Sequence, residues 1–404
     1  MGKKHSIDIE WHNRQNECIA QGCLTNSKHP DRFVKGVYPN MVQSARGGYL
    51  RSTKGEEYLD FICGLGSCLL GYKQRDVIKV IQNEILRGYS CSLPTTTEVL
   101  AAEKIKSVIP FIEKLKFLKT GTEAAQAAIR IARAYTGRQV VLSRGYHGWS
   151  DEFVSLTPPA EGVPPSSFIR KLNDIDQINE MIAAVIVEPI ELDHSRERVI
   201  WLNKLREKCT QTGTVLIFDE IITGIRYRNW CAANHYNIRP DLILLGKALA
   251  NGLPLSIVGG NKALMDNGQY FVSSTFAGEN IALAAMIKVI DLIQFGEFKI
   301  STLWQNGQDF IDKFNSIWPE KIFIEGYPTR GVFRGDPDVI NVFWQEAIGM
   351  NYLFGPSWFY MFPHIEEQFT VLENITDCLN MMKIKMPTLR GAKPTSPFSS
   401  KQRG

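Results

Sequence analysis

The chain has 404 residues, of which 44% are hydrophobic and 22% are charged, as is usual for a globular protein. This length favours two domains over one, and no apolar run approaches the roughly 18 residues that a membrane helix needs. The formal net charge is only +4 and the basic residues are spread along the chain, so the sequence indicates neither a membrane span nor a nucleic-acid partner.

The cysteines and the first residues bear on location. Eight cysteines occur, with no C-x-x-C pair and no histidine pattern of the zinc type. Residues 1–17 contain two lysines but no apolar core and no small-residue cleavage site, so we expect no secretory signal. We therefore predict reduced thiols, no metal site and a cytoplasmic protein.

The first predicted elements carry no catalytic motif. A helical pattern covers residues 9–21, and apolar–polar alternation on both sides of Lys54-Gly55 predicts a β-hairpin. The pair Gly64 and Gly66 is followed by a third glycine only at Gly71, which does not fit the spacing of a dinucleotide-binding loop. Two amphipathic helices within 76–108 follow, and we interpret their apolar faces as core.

A helix start suited to an anion comes next. Thr120 and Glu123 form a T-x-x-E capping box at the head of an alanine-rich helix that stops at Gly137, and a short apolar strand precedes it. The first turn of a helix has free backbone N–H groups and the positive end of the helix dipole. Gly121 and Thr122 add close access and a hydroxyl, so this turn suits a phosphate.

Two further strand ends carry polar residues. The strand 139–142 leads into the loop Arg144–Trp149, which reads Arg-Gly-Tyr-His-Gly-Trp, and the apolar run 183–187 ends at Glu188. A helix predicted over 202–212 then leads into the centre of the chain.

The central pattern places an acid and an amine at two strand ends. The buried strand 215–218 delivers Asp219, and the apolar run 241–245 reaches Lys247. Open α/β sheets bind ligands at the carboxyl ends of their strands, so Asp219 and Lys247 should face one crevice. This pair suits pyridoxal phosphate, because a lysine amine forms a Schiff base with its aldehyde and a carboxylate keeps its pyridine nitrogen protonated.

The segments FDEIITGIR (218–226) and PDLILLGKALANGLP (240–254) resemble those of class III pyridoxal-phosphate aminotransferases, and within that class the glutamate-1-semialdehyde aminomutase branch. The resemblance covers residues 45–300 well. It implies that Lys247 is the Schiff-base lysine and Asp219 the pyridinium partner. It also implies a fold-type-I α/β fold, in which a mainly parallel seven-stranded sheet has helices on both faces and a smaller α+β domain completes each subunit of a homodimer with shared active sites.

The resemblance also implies roles for residues that would contact the cofactor or substrate. Gly121 and Thr122 are similar to the family's phosphate cup, and Thr275 to the threonine that reaches the phosphate of the other subunit. The remaining candidates are Tyr146 and Ile221 on opposite faces of the ring, His147 as a binding residue or a packing residue, Glu188 near cofactor and substrate, and Ser67 and Arg330 for the substrate.

We predict four segments from these patterns. They are an N-terminal arm and hairpin (1–62) that belong to the small domain, a large cofactor-binding domain (63–298), a C-terminal small domain (299–387) and a disordered tail rich in Pro, Ser, Gly and basic residues (388–404).

The predicted function is movement of an amino group by a pyridoxal 5′-phosphate enzyme acting on small amino and carbonyl substrates. Aminotransfer between two substrates and intramolecular 1,2-transfer both remain open. A decarboxylase or racemase would use the same residues. A non-catalytic binding homologue is the other alternative, and the presence of Lys247, Asp219, Gly121 and Thr122 argues against it.

Overall fold

The computed structural model describes residues 2–157, 160–164 and 166–396, with side chains from Asp8 onward. Contacts divide the chain into two compact units: unit 1 joins Met1–Gln74 with Ser301–Gly404, and unit 2 is Arg75–Ile300. Residues 63–74, which we assigned from the sequence to the large domain, fall in unit 1.

The helices in the described part of the chain are, in order, α1 (Gly2–Cys18), α2 (Cys63–Gly66), α3 (Arg75–Arg87), α4 (Thr96–Val108), α5 (Gly121–Thr136), α6 (Asp151–Val154), α7 (Arg196–Thr212), α8 (Ala232–Tyr236), α9 (Lys262–Met265), α10 (Asn280–Gln294), α11 (Ile300–Ile317), α12 (Pro337–Gly349) and α13 (His364–Ile384).

The strands are β1 (Val42–Arg46), β2 (Tyr49–Ser52), β3 (Glu57–Asp60), β4 (Lys114–Leu118), β5 (Val140–Arg144), β6 (Ile169–Lys171), β7 (Ile182–Val187), β8 (Val215–Glu220), β9 (Leu242–Leu245), β10 (Ser256–Gly260), β11 (Ile322–Tyr327), β12 (Arg330–Gly335), β13 (Tyr352–Leu353) and β14 (Trp358–Phe359).

Unit 2 is built on a seven-stranded sheet in the order β4-β10-β9-β8-β7-β5-β6. β10 runs antiparallel to both of its neighbours, and the pairs that join β9, β8, β7, β5 and β6 are parallel. Every residue of β7, β8, β9 and β10 is buried, as expected when layers cover both faces of a sheet. The apolar runs before Glu188, Asp219 and Lys247 are therefore strands inside this sheet.

The helix α5 follows the edge strand β4 and packs on the sheet. Its start is the predicted capping box: Thr120 Oγ1 accepts the Glu123 N–H at 3.2 Å, and Glu123 Oε2 accepts the Thr120 N–H at 2.7 Å. Gly137 ends the helix with a φ of +69°, which glycine adopts without strain. Five alanines of the helix are buried in one core cluster with side chains of β7, β8 and β9, so small residues bring the helix close to the sheet: Ala124, Ala125, Ala127, Ala128 and Ala132.

The helix α7 begins earlier than its apolar pattern indicated. We expected a start at residue 202, but Ser195 caps a helix that begins at Arg196, and the Ser195 side chain accepts the Arg198 N–H at 3.2 Å. The first turn is charged and polar, which hid it from a search for apolar spacing. This correction matters for the site, because Arg198 lies in that turn.

Unit 1 contains two small sheets, in the orders β1-β2-β3-β13 and β11-β12-β14. The predicted hairpin is present, with Tyr49 opposite Leu59 in the β2–β3 pair. Stacked aromatic side chains fill the core of unit 1. The ring centroids of Phe61 and Phe354 are 4.5 Å apart, and those of Phe310 and Trp358 are 5.5 Å apart. Unit 1 is thus an α+β unit.

The helix α2 is a single left-handed turn. All four of its residues have a positive φ, between 52° and 80°. The non-glycine residues Cys63 and Leu65 are strained in this region because their Cβ atoms crowd the backbone. The Asp60 carboxylate anchors the turn, since it accepts the Ile62 N–H at 2.7 Å and the Tyr72 hydroxyl at 2.5 Å.

Residues 388–396 make ordered contacts within unit 1, although we expected a disordered tail. Lys35 pairs with Ala392, the Thr395 N–H donates to the Asp31 carbonyl at 2.7 Å, and the Arg390 N–H donates to Gln345 Oε1 at 2.5 Å. Composition alone did not reveal these backbone partners. Residues 397–404 of the predicted tail lie outside the described residues.

Within residues 2–157, 160–164 and 166–396, no helix has both the length and the apolar character needed to cross a membrane. The same residues hold no group of three or more His, Cys, Asp or Glu side chains arranged to bind a metal ion.

Candidate cofactor site

Asp219 lies at the carboxyl end of β8 with its carboxylate held at both oxygens. Oδ1 accepts the Ile221 N–H at 3.1 Å, and Oδ2 lies 2.7 Å from His147 Nδ1. The His147 side chain is fully buried, and its Nε2 lies 3.2 Å from the Arg144 carbonyl oxygen. Both ring nitrogens of His147 therefore face oxygen acceptors. The contact with Nδ1 fixes the orientation of the Asp219 carboxylate.

Lys247 follows the end of the neighbouring strand. Leu245, the last residue of β9, pairs with Glu220 on β8, so the chain segments that carry Asp219 and Lys247 leave the sheet at the same edge. A Cβ on Gly246 would lie 3.0 Å from Ile221 Cδ1, so the glycine lets this segment approach Ile221. Lys247 itself is half-buried, with a φ of +44°.

The first turn of α5 forms a cup beside Ile221, and we use "the cup" for residues 120–123. Glu123 Oε2 accepts the N–H groups of Lys119 and Thr120, at 2.9 Å and 2.7 Å. The N–H groups of Gly121 and Thr122 belong to the first helical turn, which offers them no carbonyl partner within the helix. A Cβ on Gly121 would already lie 3.4 Å from Ile221, so the missing side chain keeps the cup open.

The loop after β5 presses against the cup. A Cβ on Gly148 would lie 2.3 Å from Thr122 Oγ1 and 2.9 Å from Thr122 Cα, and Gly148 has a φ of +99°. Within the same loop, the Tyr146 N–H donates to Glu188 Oε1 at 2.9 Å. The Tyr146 side chain is 50% exposed, and partial burial raises the pKa of its hydroxyl. Gly148 was not among our candidates, and the signal for it in the sequence was a glycine directly after His147.

Glu220, next to Asp219, is a second residue that we did not assign. It is completely buried and accepts hydrogen bonds from Thr223 Oγ1 at 2.7 Å, Ala232 N at 2.6 Å and Ala233 N at 2.7 Å. Burial raises the pKa of Glu220 to about 7, although the three donors favour the carboxylate. The position of Glu220 directly after Asp219 was the signal in the sequence that could have identified it. Its contacts show that it anchors the chain after β8.

Three further candidates take no part in these contacts. Thr275 is exposed in the turn that precedes α10. Ser67 and Arg330 belong to unit 1: Ser67 Oγ donates to the Gly64 carbonyl at 2.8 Å, and Arg330 opens β12 opposite Tyr327 and Phe359. Their contact with a substrate stays a prediction.

The assembled residues fit pyridoxal phosphate. A buried carboxylate lies at one strand end and a lysine follows the next, as a ring nitrogen and an aldehyde on opposite sides of one ring require. The cup supplies N–H groups and a hydroxyl for a phosphate dianion.

Comparison with known proteins agrees with this chemistry. The profile described as "Aminotransferase class-III" matches residues 34–166 and 159–335. The glutamate-1-semialdehyde 2,1-aminomutase of Francisella philomiragia subsp. philomiragia is 34% identical over 317 residues, which are 71% of this chain and 73% of that protein.

Solved structures share the fold. The FumI protein of Sphingopyxis sp. MTA144, in its PLP internal aldimine form, has a TM-score of 0.87 at 22% identity, over 96% of this chain and 99% of that one. A glutamate-1-semialdehyde aminomutase from Pseudomonas aeruginosa PAO1 has a TM-score of 0.80 at 18% identity, over 93% and 95% of the two chains. The predicted fold class is confirmed, and the chain belongs to the class-III aminotransferases, a family of pyridoxal-phosphate enzymes.

Proposed function

We propose that this protein moves an amino group between neighbouring carbons of one substrate, as the name of its 34%-identical relative describes for that protein. The buried Asp219–His147 pair at the strand end beside that of Lys247 carries the pyridoxal-phosphate chemistry of this proposal, and the relative's name supports the choice of an intramolecular transfer. Aminotransfer between two substrates is the second candidate, because an omega-transaminase from Sphaerobacter thermophilus shares the fold with a TM-score of 0.80.

The residues divide the work as follows. When bound, the cofactor supplies an aldehyde that condenses with amines and a ring that accepts electrons from a substrate carbanion. Asp219 holds the proton on the ring nitrogen, and His147 keeps the carboxylate in place. Gly121 and Thr122 would hold the phosphate, and Tyr146 and Ile221 would contact the ring.

Lys247 has two tasks in this proposal. Its Nζ would hold the cofactor through the aldehyde group. The same amine would accept a proton from a substrate carbon and donate it again, because it stays tethered beside the reacting atoms.

We also propose a homodimer in which Thr275 reaches the phosphate of the other subunit. Thr275 is exposed, and the neighbouring Phe276 and the side chains of Leu86, Leu93 and Leu100 are each more than half exposed. Leu86 and Leu100 line one surface depression, and exposed apolar side chains that lie together support a surface covered by a partner. We also propose a cytoplasmic location, which a sequence with eight cysteines and no C-x-x-C pair supports.

The test is turnover of glutamate-1-semialdehyde by the cofactor-loaded protein with no added donor or acceptor. Isomerisation under these conditions supports the aminomutase, whereas turnover only with a separate amino donor and carbonyl acceptor supports the aminotransferase. Loss of a carboxyl carbon or of chirality would indicate a decarboxylase or racemase. Lys247→Ala is the control, since it should abolish every one of these reactions; wild-type protein that takes up no pyridoxal phosphate would refute the proposal.

A further inference from the structure

Four side chains at the end of β5 and the start of α7 contact one another, and we call them the Trp201 cluster: Arg144, Glu191, Arg198 and Trp201. The two guanidinium groups lie over the same indole ring, with Cζ at 4.9 Å (Arg144) and 4.5 Å (Arg198) from its centroid. Both also contact Glu191 Oε1, at 3.0 Å from Arg144 Nε and 3.2 Å from Arg198 Nη2. The cluster thus joins the end of β5 to the first turn of α7.

Arg198 is the buried member of this cluster. Only 5% of the residue is exposed, and its guanidinium donates to two consecutive carbonyls: Nη2 to Glu188 at 2.7 Å and Nε to Pro189 at 2.8 Å. An arginine presents its donors in a rigid planar fork, so two acceptors held this way have little freedom to move. The turn that follows β7 is therefore clamped by α7.

The clamped turn is connected to the loop that carries Tyr146 and His147. The Glu188 side chain accepts the Tyr146 N–H at 2.9 Å, and the Glu188 N–H donates to the Arg144 carbonyl at 3.2 Å. The same carbonyl oxygen faces His147 Nε2 at 3.2 Å. A shift of the Glu188 turn would therefore disturb the backbone that leads into the two candidate cofactor residues.

We infer that Arg198 is a positioning residue for the proposed reaction: it holds the Glu188 turn, and through Glu188 it sets the position of the Tyr146 ring over the cofactor. The inference rests on the proposed function for the identity of the cofactor. The contacts that carry this effect run from Arg198 to the Glu188 and Pro189 carbonyls and from Glu188 to the Tyr146 loop.

The matched control is Arg206, an arginine on the same helix. Its Nη1 donates to Asp241 Oδ2 at 2.8 Å and to the Arg239 carbonyl at 3.4 Å, so it too joins α7 to a carboxylate and a backbone oxygen. Asp241 precedes β9, whereas the candidate site lies beyond the other end of that strand. Arg206→Met therefore removes a comparable clamp away from the site.

The first experiment uses amide hydrogen exchange in the cofactor-free protein. Arg198→Met should speed exchange of residues 144–149 by about tenfold or more, because a clamp of charge-assisted hydrogen bonds is lost, and Arg206→Met should leave these residues unchanged. Arg198→Lys keeps the charge but can reach only one carbonyl at a time, so its exchange rate should be intermediate. If Arg198→Met does not fold, Arg198→Lys is compared with wild type in its place. Equal exchange of residues 144–149 in wild type and the Arg198 variants would overturn the inference.

The second experiment loads the proteins with pyridoxal phosphate and measures visible circular dichroism per bound cofactor, which reports the asymmetry of the ring's surroundings. Arg198→Met should lose dichroism signal while its melting temperature equals that of the Arg206→Met control. Arg198→Lys should recover part of the signal. A signal equal to wild type in Arg198→Met would overturn the inference while leaving the proposed function intact. If the wild-type protein took up no cofactor, the proposed function would be refuted. Faster amide exchange in Arg198→Met would, in that case, still show that Arg198 holds the Tyr146 loop.

Discussion

Asp219 is the residue on which the proposed chemistry depends most directly, because a pyridine ring accepts electrons well only while its nitrogen is protonated. Its carboxylate is held by the Ile221 N–H and faces a buried histidine ring at 2.7 Å. Replacement of Asp219 by asparagine keeps the shape of the side chain and removes its negative charge.

Asp219→Asn should therefore fold and still bind the cofactor through the cup and Lys247, while turnover falls by roughly a hundredfold or more because an electrostatic partner of the reacting system is lost. The measurement is the steady-state rate with the cofactor saturating. Asp176→Asn, at an exposed position of the same unit, controls for the substitution itself. Full activity in Asp219→Asn would remove this carboxylate from the site.

His364 makes a residue-scale prediction for unit 1. Its Nδ1 accepts the Met361 N–H at 3.3 Å, its Nε2 lies 3.0 Å from the Asp60 carbonyl oxygen, and burial lowers its pKa from 6.5 to about 3. Between pH 3 and 6.5 the unfolded chain binds a proton at this side chain that the folded protein does not, so stability falls as the pH is lowered through this window.

Urea unfolding at several pH values should therefore show wild-type stability decreasing by up to about 1.4 kcal/mol per pH unit more steeply than that of His364→Asn below pH 6. Asparagine retains an acceptor for the Met361 N–H and has no proton to gain. The comparison concerns the slopes, since the substitution also changes stability at neutral pH; parallel slopes would show that His364 is not held neutral.

At the scale of elements, the site depends on the fit between the cup and the loop after β5. Gly148 lets the loop backbone pass Thr122 at a distance that no side chain permits. Glycine at this position serves two needs at once, a positive φ and close approach.

Gly148→Ala should weaken pyridoxal phosphate binding about tenfold or more, because the new methyl group displaces the Thr122 hydroxyl from its contact with the phosphate. The measurement is cofactor affinity by equilibrium titration. Gly137→Ala is the matched control: Gly137 also has a positive φ, +69°, but an added Cβ meets nothing within 4 Å, so this variant should lose about 1 kcal/mol of stability and no affinity. Equal affinities in the two variants would contradict the role given to Gly148.

The elements themselves also show how far the sequence could be interpreted. Buried parallel strands are continuous apolar runs, so β7, β8 and β9 and the acid or amine after each were predictable. The start of α7 was not, because its first turn is polar and Arg198 is buried through hydrogen bonds to carbonyls instead of through apolar character. The His147–Asp219 pair joins residues 72 positions apart, which no local pattern encodes. The left-handed turn at α2 was also missed, because side-chain hydrogen bonds of Asp60 with its neighbours support it and apolar spacing does not reveal them.

At the scale of the whole molecule, the proposed shared site makes cofactor binding depend on assembly. If Thr275 completes the phosphate site of the other subunit while the cup binds from its own, a lone subunit has an incomplete site. Thr275→Ala should then reduce cofactor affinity roughly tenfold to a hundredfold, the value of a hydrogen bond to a charged group.

Mixed dimers of Thr275→Ala and Lys247→Ala chains test this arrangement. One site of such a dimer has the lysine of the first chain and the threonine of the second and is intact, while the other site lacks both. At limiting cofactor, the mixture should bind and turn over better per intact lysine than Thr275→Ala alone. Lack of recovery, or a fully active monomer by light scattering, would exclude the shared site.

The position of β10 in the sheet has a consequence for synthesis of the chain. Within the described residues β4 is an edge strand that pairs with β10, Leu118 lying opposite Ser256. On a ribosome, β5 to β9 are complete before β10 exists, so they can pair with one another while β4 waits. Pairings between distant residues also form slowly because closing a long loop costs entropy. The strand that leads into the cup is therefore expected to dock last, and cofactor cannot assist folding of the nascent chain until β10 has left the ribosome.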